Sequence, residues 1–190
     1  MGMQAVVERW TAEEVRQLPD DGNRYEVVAG ELLVTPAPRR SHQVIIGLLL
    51  AVLVPYLRRY EVGVALPAPS DIEFTPDTLV QPDICVAPPV AGRVPAEWDD
   101  VTELILAIEV LSPRTERYDR VIKRKLYQRQ RVSEYWIVDI AQRQVERWRP
   151  DSAAPEIVTD ALQWRPRSDI PPLTIDLAGL FAYAAGDGQH

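Results

Sequence analysis

At 190 residues, 46% hydrophobic and 26% charged, the chain is long enough for one full core, and the simplest expectation is a single α/β domain over residues 1–185 with a short disordered tail, 186–190. A lone cysteine, Cys85, excludes an internal disulfide framework, and no CxxC or Cys/His spacing offers structural zinc, so a reducing cytoplasm is the expected setting. The net charge of −7 argues against a generally DNA-binding surface, yet Arg114 to Arg131 holds eight basic against two acidic residues, +6 locally, which leaves −13 for the rest.

In chain order, the N-terminus lacks a basic segment followed by an apolar core, so no signal peptide is expected. Residues 9–20 open a helix: Thr11 and Glu14 have capping-box spacing, and Pro19 is a stop. RYEVVAGELLVTPAP reads as a hairpin turning at Ala29-Gly30, with Glu26 in its first strand. Ser41 is a suitable N-cap for a helix through HQVIIGLLLAVLVPYLRR, with His42 in its first turn. That helix is apolar on nearly every side and should be covered on most of them. Its longest uncharged run, Val44 to Leu57, is too short to span a bilayer, which needs about 20 residues. Residues 62–86 predict a strand, a Pro-rich bend and a hairpin whose second strand carries Pro82-Asp83, with proline suiting a bend or a sheet edge.

Residues 87–100 look irregular, and LILAIEVL, 104–111, then gives an apolar run broken once, by Glu109. This is the signature of a strand buried on both faces. Desolvating a lone carboxylate costs several kcal/mol, so Glu109 must sit at the exposed strand end, be protonated, or face a cation. Pro113 ends the strand, and a helical segment follows on which Asp119, Lys123 and Tyr127 fall at i, i+4 and i+8, roughly one face. SEYWIVD is the next strand. The whole has the size of a right-handed βαβ crossover, which can bring Lys123 over the strand end bearing Glu109. Beyond it, 143–149 alternates like a surface strand, two short edge elements follow, and Leu173 to Phe181 docks a last one.

Asp83 and Glu109 on neighbouring strand ends would make an oxygen site suited to Mg2+ or Mn2+, and Lys123 could complement charge developing on a phosphate. That set matches metal-assisted phosphodiester hydrolysis. Glu26, His42 and Asp119 are secondary candidates, and Arg114, Arg117 and Arg120 candidates for contacts to a DNA backbone. The plainer alternatives are a structural salt bridge for Glu109, a turn residue for Asp83, a cap residue for His42 and a solvated helix face for the basic cluster.

QPDICVAP, AIEVLSPRT and YDRVIKRKLYQRQRVSEYWIVD, with YEVVAGELLVTPAPRRSHQ upstream and LTIDLAGLF downstream, resemble the Uma2 family of bacterial endonucleases, also described as a domain of unknown function, within the PD-(D/E)XK superfamily. The resemblance covers roughly residues 20–181. It implies a restriction-endonuclease-like α/β core, a mixed central sheet flanked by helices, here with an added N-terminal helix and hairpin. It also implies Asp83 and Glu109 as metal ligands, Glu26 as a further acid, His42 as a site neighbour and a homodimer as the assembly. The usual lysine two residues beyond the acid is missing, since Leu111 stands there; Lys123 matches the migrated position, and Lys125, about 200° round the helix, faces away. A non-catalytic interaction module and a nucleotide hydrolase using the same metal site are the rival readings.

Overall fold

The structure, a computed structural model, describes residues 9–101 and 103–186. Its centre is β7, Leu106–Val110, buried along its whole length. Leu106, Ile108 and Val110 face one layer and Ala107 faces the other, the period of two expected when both sides of a strand are covered. A helical segment, α3 (Tyr118–Lys123 continued by Arg124–Arg129), carries the chain from β7 to β8, Glu134–Asp139, which pairs parallel to β7 with Glu109 beside Ile137, so the predicted βαβ crossover is present.

Around this pair a six-stranded sheet runs in the order β10-β9-β8-β7-β6-β3, built from β3 (Val64–Pro67), β6 (Ile84–Ala87), β9 (Gln144–Trp148) and β10 (Glu156–Val158), with every other pairing antiparallel. One face packs on α2, Arg40–Arg59, whose Ile45, Leu49, Leu53 and Leu57 recur every fourth residue, and on the C-terminal α4, Leu177–Ala185, with Trp136 and Trp164 between. A two-stranded ribbon, β11 (Ala161–Trp164) with β12 (Leu173–Asp176), closes that layer. The other face carries α3 and a four-stranded sheet in the order β2-β1-β5-β4, from β1 (Arg24–Val28), β2 (Glu31–Thr35), β4 (Ile72–Thr75) and β5 (Thr78–Val80). The short α1, Ala12–Arg16, packs Ala12 and Val15 against Val27 and Leu79 behind that sheet, and Thr11 and Glu14 form the anticipated capping box.

Several expectations need correction. The α2 helix starts two residues earlier than Ser41 would set it, with Arg39 at the N-cap and no side-chain cap bond. It is covered on one side only: Gly47, Ala51 and Val54 lie exposed in a row, because among the described residues no element packs outside it. By length and composition α2 could cross a membrane, but its buried face seats on the sheet as a core helix does. The strand expected to run through Pro82 is two strands in two sheets, β5 and β6. A proline cannot donate to a ladder, so Gln81-Pro82-Asp83 becomes the handover between them. The stretch read as a surface strand, β9, is interior to the sheet. Its alternating charges deceive because Glu146 and Arg147 are buried in ion pairs. The α3 helix is not uniform: Tyr118–Lys123 is π-helical and Arg124–Arg129 α-helical, with Arg124 N–H donating to the Asp119 carbonyl. The tail expected to be disordered falls, from residue 187 on, outside the described residues.

The turn at Ala29-Gly30 has both residues at positive φ, 52° and 82°, which matches the twist of the β1–β2 hairpin. Gly63, at φ 151°, is more constrained, since a Cβ there would press on the Ala87 carbonyl oxygen across the β3–β6 edge. Gly63→Ala is expected to cost about 1–3 kcal/mol through backbone strain, read as a lower urea midpoint at unchanged slope.

Candidate active site

Glu109 shares the Ala107 face of β7 and therefore looks toward α3 and the smaller sheet. The β6–β7 register pairs Ile84 with Ile108, so continuing it by one residue sets Asp83 opposite Glu109 on that same face. The opposing wall is β1: Glu26 and Val28 turn toward the large sheet while Val27 turns to α1. By the same alternation Arg24 joins Glu26. The fourth contributor is α3, whose Asp119 and Lys123 are its buried polar residues.

These side chains meet. Lys123 Nζ lies 2.8 Å from Glu26 Oε2, 2.8 Å from Glu109 Oε1 and 3.9 Å from Asp119 Oδ1. The Tyr127 hydroxyl donates to Glu109 Oε1 at 3.4 Å. Asp83 is held by three donors: Arg24 to Oδ1 at 2.8 Å, and to Oδ2 both His42 Nε2 at 2.9 Å and the Val110 N–H at 2.8 Å. Both backbone groups of Gln81, released from any ladder by the handover at Pro82, serve the same site. Its N–H donates to Glu26 Oε1 at 2.7 Å and its carbonyl accepts from Arg24 at 3.0 Å. The cluster forms the floor of a cleft of about 780 Å³. The side chains of Glu26, Asp83, Glu109 and Lys123 are only 1–4% exposed.

Four buried acids thus face one lysine, one arginine and a histidine, and their ionisation reflects that imbalance. Burial drives the Glu109 carboxyl well above its usual range. Lys123 opposes this, but the nearby charges of Asp83, Asp119 and Glu26 reinforce it. Asp119 is pushed to about 6 by burial against the pull of Lys123 and Thr115. Burial would raise Asp83 too, but the His42 hydrogen bond and the Arg24 charge bring it down to about 2. Lys123 is held protonated, because the three carboxylates around it outweigh its desolvation.

Of the sequence candidates, then, Glu26, His42, Asp83, Glu109, Asp119 and Lys123 all line one cleft. The expected arginines divide. Arg114 is on the cleft wall and Arg117 is exposed beyond it, but Arg120 is turned away into ion pairs with Glu116, Asp139 and Glu146. Arg124 stacks on Trp148 and Arg131 pairs with Asp151, so the basic helix is largely spent on its own surroundings. Cys85 is buried beside the site with its thiol pushed up to about 12 by burial, which makes it a packing residue. Sequence reading missed Arg24, although its place two residues before Glu26 on one strand was the available signal.

Among the described residues no three His, Cys, Asp or Glu side chains form a closed metal cage. The donor chemistry nevertheless fits a hard divalent cation. Mg2+ and Mn2+ take one or two carboxylates and complete their shell with water and phosphate oxygens. Here Asp83 and Glu109 are opposed on one face, Glu109 Oε2 accepts no hydrogen bond among the described residues, and the buried charge is negative in surplus.

A mixed central sheet flanked by helices is the architecture expected of a restriction-endonuclease-like core. The same fold occurs in the crystal structure of "a putative nuclease belonging to DUF820 from Anabaena variabilis", with a TM-score of 0.72 at 20% identity, covering 92% of this chain and 99% of that one. Residues 12–178 match the model of the Uma2 family, described as "Putative restriction endonuclease", and the chain belongs to that family. No curated protein matches the chain at a significant level.

Proposed function

We propose that the protein is a metal-dependent DNA endonuclease that hydrolyses phosphodiester bonds, with Asp83 and Glu109 as the ligands of Mg2+ or Mn2+. The observation that carries this reading is the seating of Lys123 between Glu26 and Glu109, 2.8 Å from each, on the face where Asp83 opposes Glu109. When bound, the metal supplies Lewis acidity toward a phosphate oxygen and a lowered water pKa. Lys123 offers a permanent positive charge to the phosphate oxygens as negative charge builds on them, and Tyr127 and Glu26 fix its neighbourhood. Arg24 and His42 orient Asp83 from two sides, so its carboxylate is ionised and aimed before substrate arrives.

Purified protein is expected to nick or linearise plasmid DNA with Mg2+ or Mn2+ and to stop in chelator. Asp83→Ala and Glu109→Gln should each lower the rate by at least about a hundredfold, the scale at which losing one electrostatic contributor is felt. Wild-type cleavage by Glu109→Gln would point to a contaminant or another centre. If the wild type neither cleaves nor takes up Mn2+ by calorimetry, the fold is serving as an interaction module.

A further inference from the structure

The cleft has features that bear on which form of DNA could be cut. Its reacting groups are sunk: Lys123, Glu109, Asp83 and Glu26 are at most 4% exposed, and all four line the cleft. Its volume, about 780 Å³, is that of a small-molecule pocket, which holds a few nucleotide units and not a rod with a groove about 12 Å wide. Prolines stiffen its rim, with Pro36 and Pro38 on one side and Pro67 and Pro69 on another.

The cationic and aromatic groups at the mouth complete the picture. Arg39 and Arg114 line the cleft and Arg117 lies just outside it. All three are exposed and form no ion pair among the described residues. Three cations are few beside the roughly 6–10 phosphate contacts that a tightly held duplex uses, and the net charge of −7 opposes any wider track. Tyr118 is half-buried on the cleft wall, next in sequence to Arg117, packed against the core and with no side-chain hydrogen bond among the described residues. A few backbone cations beside an aromatic side chain on the cleft wall resemble the usual platform for unpaired bases, which any base can stack on.

We infer that the cleft takes a single flexible DNA strand, with Arg39 and Arg114 on its phosphates and Tyr118 stacked on a base next to the scissile bond, and that paired DNA is cut only where it opens. This rests on the nuclease reading above. It is tested with one end-labelled oligonucleotide supplied alone, annealed to its full complement, and with a central unpaired bubble, each with Mg2+. The expected result is cleavage of the single strand at least about tenfold faster than the duplex, with cuts in the bubbled duplex confined to the unpaired part. Binding by fluorescence anisotropy in chelator should show a log–log salt slope near −1.4, from about 0.7 for each of the two phosphate contacts. Tyr118→Ala should weaken single-strand binding about tenfold, as loss of one stacked base does, while Tyr118→Phe keeps it. Duplex cut as fast as single strand, or Tyr118→Ala binding like wild type, overturns the inference and leaves the nuclease reading standing. Failure to cut any of the three polymers, or turnover of mononucleotides alone, removes the nuclease reading and the inference with it.

Discussion

Lys123→Ala is expected to destabilise the fold by about 3–5 kcal/mol, the largest single effect in the molecule, and to abolish cleavage with it. The cause is not a lost contact but what remains: Glu26, Glu109 and Asp119 would share a buried site without the ammonium that lies between them. Glu109→Gln should behave quite differently. The Glu109 carboxyl is already driven toward its protonated form by burial and by its acidic neighbours, so a neutral isostere removes repulsion along with attraction. The fold should lose less than about 1 kcal/mol even though activity disappears. The two changes should therefore not add. In the Lys123→Ala background, Glu109→Gln ought to restore part of the stability, with a coupling of at least about 1 kcal/mol in a urea double-mutant cycle. Strictly additive losses would mean that Lys123 and Glu109 do not depend on each other, and the electrostatic account of the site would fail.

This coupling also explains which parts of the site could be read from the amino-acid order alone. Glu109 announced itself because a carboxylate inside an apolar run has few physical options, and the structure realises one of them, facing a cation. Lys123 followed from helix spacing, and its reach to β7 followed from the handedness of the crossover. Local pattern alone does not place the second wall: Glu26 enters as a secondary candidate that the family resemblance supports, and Arg24 is missed. Both lie on a strand more than eighty residues before Glu109, in a different sheet, and no local period says that two sheets will face each other there. The same limit concealed the fate of the basic cluster. Charge counting sees eight cations together, but only the packed chain shows Arg120 withdrawn by three carboxylates, two of which arrive from β8 and β9. Burial overturned the surface reading of β9 for the same reason. Alternating charge looks solvated until its partners, on β8, β10 and α3, are known.

Divalent metal should stabilise the protein only where the acids of the site have given up their protons. Asp119 titrates near 6 in the fold against an ordinary 3.8, and Glu109 is raised as well. A raised carboxyl means that the folded state keeps a proton the unfolded chain has released. Asp119 therefore makes the metal-free protein lose stability as pH rises from about 4 through about 6, and Glu109 acts in the same direction above its ordinary 4.5. Asp83 runs the other way: lowered to about 2, it contributes stability above its ordinary 3.8 that disappears as pH falls toward 2. Between these opposed slopes the metal-free fold should be most stable in mildly acid solution, and each proton these acids give up on the alkaline side enlarges a buried negative surplus. A bound cation relieves that surplus by taking the place of protons, so its uptake should release them and strengthen with pH. At about a hundredfold excess over its dissociation constant, such binding contributes about 2.7 kcal/mol, or about 5–11 °C in Tm for a chain of this size. Mg2+ or Mn2+ should then raise Tm by that amount at pH 8 and by little at pH 5, and Glu109→Gln should remove the response at both. An equal shift at pH 5 and pH 8, or a full shift in Glu109→Gln, would place the cation away from the Asp83 and Glu109 pair.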